Sequence, residues 1–284
     1  MKIFTKVTEL QSYLNPFISN SKSIGFAPTM GALHEGHLSL IEESKKSNEL
    51  TVCSIFVNPT QFNDPKDFEK YPISIEQDIA LLATKNCDVL FLPNVTEMYP
   101  NGTQKSKFYD LGFIETVLDG AYRPGHFQGV CQVVERLLEI VQPNNLYLGQ
   151  KDYQQCMVIQ KLIALMNWTN KINLKICATL REKDGLAMSS RNLRLSIDER
   201  KQANAIHKCF ISIKEKIKKG ELNDLLLINE SFLIENGFRK IDYLTIAKAD
   251  TLQSINNWDG QQKIVLLAAA FIGEVRLIDN MLLN

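Results

Sequence analysis

The sequence has 284 residues, of which 32 are Lys or Arg and 32 are Asp or Glu, so its formal net charge is zero. A chain of this length is predicted to form one large domain or two unequal ones. Proteins that bind the nucleic-acid backbone carry a basic excess, so the balanced charge excludes a nucleic-acid partner. Hydrophobic residues make up 45% of the chain, which is too high a share for a disordered protein.

Three further features favour a cytoplasmic protein that has no membrane partner. The longest apolar run, Ile264–Ile272, has nine residues, about half of what a membrane span requires. Lys2 and Lys6 stand where a signal peptide has an apolar segment. The six cysteines are scattered without the spacing of metal ligands, so we expect buried thiols in a reducing compartment.

Short apolar runs alternate with amphipathic patterns through the first two thirds of the chain. Five runs are predicted to be strands buried on both faces: 23–27, 50–57, 88–92, 146–148 and 172–178. Amphipathic helices are predicted over 37–47, 75–85 and 130–142. Ser74 and Gln77 match a capping box at the start of the second helix. The alternation predicts a parallel sheet with helices on both faces, in which ligands bind beyond the carboxyl ends of the strands.

The character of the sequence changes near residue 176. Ser196 and Glu199 match a second capping box, which is predicted to open a long charged helix that ends at Gly220. Further apolar runs then follow, at 241–247, 264–272 and 275–283. The predicted domains are an α/β domain over 1–176 and a smaller α+β domain over 177–284.

A glycine-rich loop follows the first predicted strand and leads directly into a helix, in the sequence PTMGALHEGH. Such a passage presents backbone N–H groups and the positive end of the helix dipole, which suit phosphate. Gly31 and Gly36 mimic the spacing of a P-loop, but His37 stands where a P-loop has lysine. His34 and His37 can both donate to phosphate oxygens. A metal pair and a capping turn are the alternatives for these two histidines.

Two other loops supply polar side chains. Asn58 and Gln61 follow the second predicted strand, so this loop is expected to lie beside the first one. Their neutral amides can bind a hydroxyl or a carboxylate without adding charge. Arg123 and His126 precede the helix over 130–142 and supply further groups that can meet an anion.

The remaining candidates lie later in the chain. Lys151 suits phosphate, Asp152 suits ribose or a hydrated Mg²⁺, and Gln155 suits a substrate. Past residue 176, the segment 188–191 carries two hydroxyls and a guanidinium on a loop that can close over a triphosphate. His207 falls within a helical pattern and is predicted to be structural.

Together these motifs resemble the pantothenate synthetase (pantoate–β-alanine ligase) family of the nucleotidyltransferase superfamily, whose signatures are similar to HIGH and KMSKS. The resemblance rests on six segments between Pro28 and Asn280: PTMGALHEGH, FVNPTQF, RPGHFQGV, GQKDYQQ, DGLAMSSRN and RLIDN. It implies an α/β fold with a Rossmann-like N-terminal domain that binds nucleotide and pantoate. It also implies a small C-terminal lid domain and a homodimer.

The resemblance further implies the reaction. This is the ATP-dependent condensation of (R)-pantoate with β-alanine through a pantoyl adenylate, which gives pantothenate, AMP and pyrophosphate. ATP is a co-substrate, and Mg²⁺ is held mainly by the phosphates. The rival functions are another adenylyltransferase of the superfamily and a catalytically silent nucleotide-binding module.

The matched positions carry the implied residue roles. The catalytic residues are His34, His37, Lys151 and Arg191. The ATP-binding residues are Met30, Gly31, Ala32, Leu33, His34, Glu35, Gly36, His37, Gly149, Gln150, Lys151, Asp152, Leu180, Met188, Ser189, Ser190 and Arg191. Gln61 and Gln155 match pantoate-binding glutamines, Gln61 also lies near β-alanine, and Asn58 is added because of its place beside Gln61. No residue is expected to be a dedicated metal ligand.

Overall fold

The computed structural model divides the chain into two compact units. The described residues are 1–63, 65–104 and 107–284. Unit 1 consists of Met1–Gln150 and Gln155–Ala178, and unit 2 consists of Lys151–Gln154 and Thr179–Asn284. The chain therefore enters unit 2 for four residues before it completes unit 1, an excursion that the sequence pattern does not signal.

Six parallel strands form one sheet in the described part of unit 1. The strands are β1 (Lys2–Phe4), β2 (Ile24–Thr29), β3 (Leu50–Ile55), β4 (Val89–Phe91), β5 (Asn145–Gly149) and β6 (Asn173–Cys177). Their spatial order is β1-β4-β3-β2-β5-β6, and each neighbouring pair is parallel. The predicted parallel sheet is confirmed. Because the chain crosses from β4 to the far side of β2, the order reverses between β2 and β5, where such sheets bind ligands.

Helices connect these strands. They are α1 (Val7–Ser19), α2 (Glu35–Ser47), α3 (Pro65–Glu69), α4 (Ile75–Thr84), α5 (Val95–Met98), α6 (Asp119–Tyr122), α7 (His126–Val141) and α8 (Tyr153–Leu165). α7 has a continuous apolar stripe, which includes Val130, Val133 and Leu137, and all three side chains are buried. The three predicted helices of this region therefore exist as α2, α4 and α7.

Alternate residues of each strand pack into two separate cores. Phe26 of β2 and Val52 of β3 face a core that also takes apolar side chains from α1, α7 and α8. Ala27 and Cys53, one residue further on, face a second core with side chains from α2 and α4. Because successive side chains of a strand point to opposite faces, helices cover both faces of this sheet.

The edge strand β6 departs from prediction. A strand buried on both faces was expected here, but most of β6 is exposed or half-buried, and Ile176 is 45% exposed. β6 pairs only with β5 among the described residues. An apolar run thus marks β6 correctly as a strand, but it does not reveal that the strand lies at an edge.

Unit 2 is built around antiparallel strands. Its elements are α9 (Ile197–Ala203), α10 (Ala205–Lys216), β7 (Gly220–Glu221), α11 (Asn223–Glu235), β8 (Phe238–Lys248), β9 (Asn257–Trp258), β10 (Ile264–Ile272) and β11 (Val275–Leu282). In the described residues, β11, β10 and β8 form one sheet in that order, and β7 pairs with β9. The core of the unit packs apolar residues of this sheet against α10 and α11, with Phe210, Leu233 and Leu266 at its centre.

The predicted long helix after Ser196 is wrong in its length. Its capping box is present, since Ser196 and Glu199 exchange side-chain and backbone hydrogen bonds. At Asn204, however, the backbone N–H bonds to the carbonyl of Gln202, and the helix is interrupted before α10. α10 then ends at Lys216 rather than at Gly220, because Ile217 adopts an extended conformation.

The cysteines follow the prediction with one exception. All six are free, and five are buried while Cys177 is half-buried at the edge of the sheet. Burial raises the pKa of the Cys87 thiol to about 11 and that of Cys131 to about 12. These thiols stay protonated and act as small apolar residues.

Of the helices in the described ranges, none combines the length and the apolar character that a membrane span needs.

Candidate active site

The loop after β2 has an unusual backbone. Gly31 and Ala32 both have positive φ, +84° and +47° respectively. A side chain at Gly31 would bring its Cβ within 3.1 Å of the Asp78 carboxylate and of the Ile55 side chain. Glycine at position 31 therefore adopts the positive φ without strain and leaves room for these neighbours. Ala32 has a Cβ atom, so its positive φ costs conformational free energy. Surrounding contacts must hold this loop in place.

Asp78 of α4 provides those contacts. This side chain is 1% exposed, and its two oxygens accept the backbone N–H groups of Ala32 and Leu33 at 2.9 and 2.8 Å. Ser74 donates its hydroxyl to the same carboxylate at 3.0 Å. The predicted capping box of Ser74 and Gln77 is therefore wrong, since the Ser74 side chain makes no cap hydrogen bond. The sequence does not identify Asp78 as a residue of the site, because an acidic residue in a first helical turn is an ordinary feature.

The two histidines of the loop begin α2. His34 is the N-cap residue, and its Nδ1 accepts the N–H of Gly36 at 3.2 Å. The Nδ1 of His37 accepts the N–H of His34 at 3.4 Å, and the two ring centroids lie 4.0 Å apart. With Nδ1 as an acceptor, each neutral ring carries its proton on Nε2, the kind of donor that a phosphate oxygen needs. The capping turn considered from the sequence is thus present, and it orients both rings.

Asn58 and Gln61 lie beside this loop. Gln61 is the last residue of a short 3-10 helix, Pro59–Gln61, and its Nε2 donates to the Met30 sulfur at 2.9 Å. The structure thus brings the loops after β2 and β3 together, as the sheet geometry predicts.

The Asn58 side chain has partners on every side. It is 1% exposed, and its Oδ1 accepts from the Tyr99 hydroxyl at 2.8 Å and from Thr60. Its Nδ2 lies 3.2 Å from both Gln61 Oε1 and the carbonyl of Gly129. Burial raises the pKa of Tyr99, so this hydroxyl remains a donor. Asn58 therefore orients the Gln61 amide from within the protein.

The Arg123–His126 loop reaches the same 3-10 helix. His126 Nδ1 lies 2.7 Å from the carbonyl of Gln61, and its Nε2 lies 3.0 Å from Arg123. A carbonyl only accepts and a guanidinium only donates, so the neutral ring with its proton on Nδ1 satisfies both partners. On the next turn, a Cβ at Gly129 would lie 2.1 Å from the carbonyl of Thr60, so glycine permits this close packing.

The strand β5 ends beside β2, at the point where the strand order reverses. Gly149 closes this strand, and Gln150 follows it. The Cys156 thiol of α8 donates to the carbonyl of Gly149 at 3.4 Å. Gln155 lies half-buried in the first turn of α8. The carboxyl ends of β2 and β5 thus carry candidate residues on both sides of the predicted ligand-binding position.

In unit 2, Lys151 and Asp152 form one short segment. The Lys151 ammonium lies 3.7 Å from the Asp152 carboxylate, and the two side chains are 16% and 46% exposed. Asn280 donates to the carbonyl of Lys151 at 2.8 Å, and the Tyr153 hydroxyl donates to the carbonyl of Ala249 at 2.7 Å. The Asn280 side chain therefore fixes the backbone of Lys151, and the Tyr153 side chain ties the chain just after Asp152 to Ala249.

The other candidates of unit 2 flank a small hairpin. Leu180 accepts the N–H of Met188 at 3.0 Å, and Arg181 pairs with Ala187 in an isolated antiparallel bridge. Ser189 then caps a 3-10 helix, Ser190–Arg194, by accepting the N–H of Arg191 at 3.3 Å. The predicted loop over 188–191 therefore includes the start of a helix. Leu180 is 41% exposed, as an adenine contact through the backbone allows.

His207 lies on α10 against the Gly185 turn of this hairpin. Burial lowers the pKa of its ring, with the positive charge of Arg181 as a second cause. The ring is therefore neutral at pH 7 and suits the structural place that its helical pattern predicted.

No group of three or more His, Cys, Asp or Glu side chains in the described ranges is arranged to hold a metal ion. The donor set at the loops is instead rich in backbone N–H groups, imidazoles and neutral amides. Such a set binds anions and uncharged polar groups.

Comparisons with known proteins agree with this chemistry. Residues 2–282 match the sequence profile of the family described as Pantoate-beta-alanine ligase. The chain is 43% identical over 281 residues to the pantothenate synthetase of Cytophaga hutchinsonii, covering 98% of each chain. It is also 43% identical over 287 residues to that of Fervidobacterium nodosum, covering 100% of each.

Solved structures show the same relationship. A pantothenate synthetase from Thermus thermophilus superposes with a TM-score of 0.91 at 38% identity, over 100% of this chain and 99% of that one. A pantoate-beta-alanine ligase from Francisella tularensis, complexed with beta-gamma ATP and beta-alanine, gives 0.83 at 38% identity, over 100% and 98%. The chain therefore belongs to the pantoate-β-alanine ligase family, and it is an enzyme.

Proposed function

We propose that this enzyme condenses (R)-pantoate with β-alanine at the expense of ATP, through a pantoyl adenylate. The observation that carries the proposal is the family match over residues 2–282, combined with the phosphate-type loop and the amide cluster that unit 1 places side by side. Pantoate, β-alanine and ATP are the substrates, and pantothenate, AMP and pyrophosphate are the products.

In the first half-reaction, a pantoate carboxylate oxygen forms a bond to the α-phosphorus of ATP. The bond from this phosphorus to the bridging oxygen breaks, and pyrophosphate leaves. In the second, the β-alanine amine attacks the acyl carbon, the bond to AMP breaks, and the amine loses a proton. Positioning and charge stabilisation are the main contributions a protein makes to such transfers.

His34 and His37 donate to the ATP phosphates in this proposal. Their Nδ1 atoms accept backbone N–H groups, so each neutral ring carries its donor proton on Nε2. The other phosphate- and nucleotide-binding residues of unit 1 are Met30, Gly31, Ala32, Leu33, Glu35, Gly36, Gly149 and Gln150. The start of α2 adds the positive end of a helix dipole to the same loop.

Lys151 and Arg191 neutralise the charge that develops on pyrophosphate as it leaves. The remaining proposed ATP-binding residues of unit 2 are Asp152, Leu180, Met188, Ser189 and Ser190. Ser189 already caps the helix that carries Arg191, which fixes the backbone of Arg191. Lys151 has its backbone fixed by Asn280.

Gln61 and Gln155 bind pantoate, and Gln61 also contacts β-alanine. A neutral amide holds the pantoate carboxylate without drawing away the charge that makes it nucleophilic, whereas an arginine would reduce its reactivity. Asn58 serves this site through Gln61, because its amide contacts the Gln61 side chain and is otherwise enclosed by protein.

Mg²⁺ accompanies ATP in this proposal and is held mainly by the phosphates and water. It would neutralise phosphate charge, and the half-exposed carboxylate of Asp152 is available to a water of its shell. We also propose the homodimer that the family resemblance implies and the cytoplasmic location that the sequence favours. The two proposed domains divide near residue 176, and residues 151–154 belong with the second of them.

Pantoate-dependent exchange between ATP and labelled pyrophosphate tests the proposed function. We expect exchange that requires (R)-pantoate, and AMP formation that further requires β-alanine. Exchange without pantoate would support another adenylyltransferase, and ATP binding without any turnover would support a silent nucleotide-binding module. Either result contradicts the proposal.

A further inference from the structure

Asp279 and Asn280, near the end of β11, have no role in the reaction proposed above. They belong to the motif RLIDN, and they are only 5% and 2% exposed. A buried carboxylate and a buried amide are costly unless hydrogen bonds satisfy them. Their partners therefore show what these two residues do.

Asp279 holds the hairpin that links two candidate ATP-binding positions. Arg181 donates from Nη1 to Asp279 Oδ2 at 2.7 Å and from Nη2 to Oδ1 at 3.0 Å, a bidentate pair. The same guanidinium donates to the carbonyls of Gly185 and Asn280 at 3.1 and 3.3 Å. Because the hairpin pairs Leu180 with Met188, fixing Arg181 also fixes the two ends of the hairpin.

Asn280 holds the other candidate segment of unit 2. Its Nδ2 donates to the carbonyl of Lys151 at 2.8 Å, and its own N–H donates to Asp279 Oδ1 at 2.8 Å. Asp279 and Asn280 pair with Ala268 and Leu267 of β10, so both sit on a rigid sheet. Two adjacent residues thus connect segments that lie about 30 to 130 positions from each other in the chain.

We propose that Asp279 and Asn280 are positioning residues of the ATP site. They hold the backbones of Leu180, Met188 and Lys151 in the arrangement that binds ATP, without touching the nucleotide themselves. A displacement of about 1 Å in such a segment is enough to weaken binding and catalysis. This inference rests on the proposed function, because the ATP-binding roles of these segments belong to it.

Asp279→Asn tests the proposal against a matched control in the same sheet. Asp242 of β8 is also a buried carboxylate, and its ion-pair partners in the described residues are Arg276 at 2.7 Å and Lys240 at 2.8 Å, neither of which is an ATP-binding candidate. We expect Asp279→Asn and Asp242→Asn both to lower the melting temperature. Only Asp279→Asn should raise the KM for ATP, by about tenfold or more, with the KM for pantoate changed less than about twofold.

Asn280→Ala is the second variant and removes a single donor from Lys151. We expect an increase in the KM for ATP of about threefold to tenfold, with partial recovery in Asn280→Gln if its longer amide still reaches the carbonyl. If Asp279→Asn fails to fold, Asn280→Ala decides the question. An unchanged KM for ATP in folded Asn280→Ala, or equal kinetic effects of Asp279→Asn and Asp242→Asn, would overturn the proposal.

Titration of ATP by calorimetry separates this inference from the proposed function. A wild-type protein that binds ATP but shows no pantoate-dependent exchange would contradict the function alone. In that case, weaker ATP binding by Asn280→Ala would still support the positioning role, and unchanged binding would contradict it.

Discussion

Buried side chains from distant parts of the chain fix both the loop over 30–37 in unit 1 and the Lys151 segment in unit 2. In the loop they bind backbone N–H groups, and in the Lys151 segment the bound group is a backbone carbonyl. Asp78 accepts two N–H groups of the first loop, whereas Asn280 donates to a carbonyl of the second. The first loop carries His34 and His37 at a helix start, and a strained backbone must be held there. The second carries Lys151, and fixing its carbonyl sets the point from which the long side chain extends. The strained loop is thus held through two backbone N–H groups, whereas the Lys151 segment is held through one carbonyl.

The largest effects are expected from removing the donors themselves, one from each region. His37→Ala and Lys151→Ala should each lower kcat for AMP formation by about 10²–10³-fold, because each loses one preorganised donor to a phosphate. Both variants should still fold, since neither side chain belongs to a hydrophobic core. Glu42→Ala, on the same helix as His37, is the control and should leave kcat unchanged. Turnover near that of the wild type in either donor variant would refute its assigned role.

The anchor of the first loop is expected to matter next most. In Asp78→Asn, an NH₂ group faces a backbone N–H of Ala32 or Leu33 and leaves that donor unsatisfied. An unsatisfied buried group costs about 1–3 kcal/mol, so kcat/KM for ATP should fall by about 10-fold to 100-fold. Steady-state kinetics with ATP varied at saturating pantoate measure this fall.

Leu82→Ala separates this effect from a general loss of stability. Leu82 is fully buried on the same helix, in the core that also includes Leu33 of the loop, but its side chain forms no hydrogen bond with the loop backbone. It should lower the melting temperature at least as much as Asp78→Asn does, because it leaves a cavity. If Leu82→Ala changed the ATP kinetics equally, the loop would not depend on the Asp78 carboxylate.

A smaller and more selective effect is expected from Gln61, whose neutral amide lies beside that of Asn58 in unit 1. Gln61→Ala should raise the KM for pantoate by about threefold to tenfold, the effect of one lost hydrogen bond, and should change the KM for ATP less. Gln160→Ala, an exposed glutamine on α8, is the matched control. Equal increases in both KM values would mean that Gln61 does not distinguish the two substrates.

The sequence predicts the elements that depend on local pattern. The strands of unit 1 are short apolar runs, and α7 shows its stripe, so both follow from periodicity. The parallel order then places the loops after β2 and β3 together, which the contact of Gln61 with Met30 confirms.

The anchors could not be predicted in the same way. Asp78 stands in a first helical turn, where acidic residues are common, and its partners lie about 45 positions earlier. Asn280 follows Asp279 in a strand of mixed polarity, and nothing local connects it with Lys151. The exposure of β6 likewise depends on neighbours in space rather than on local pattern.

The last prediction concerns stability rather than turnover, and it compares two ion pairs on one hairpin of unit 2. Arg181 of the hairpin pairs with buried Asp279, and Asp184 of the same hairpin is half-exposed and accepts from Arg200 at 2.6 Å. The hydrogen bond from Arg200 lowers the pKa of Asp184. A lowered pKa in the folded state stabilises the protein above the unfolded value near 3.8, and this contribution is lost as the pH falls through the folded value.

Urea unfolding of two variants measures the difference between these pairs. Arg200→Ala should cost about 0.5 kcal/mol at pH 7, as expected of a solvent-screened pair, and the cost should shrink as the pH falls below 3.8. Arg181→Ala should cost about 3–5 kcal/mol, because it leaves a buried carboxylate without its guanidinium. Equal costs would mean that burial does not distinguish the two pairs. The exposed pair would then stabilise the hairpin as much as the buried pair does, and Asp279 would not be the main anchor of the hairpin.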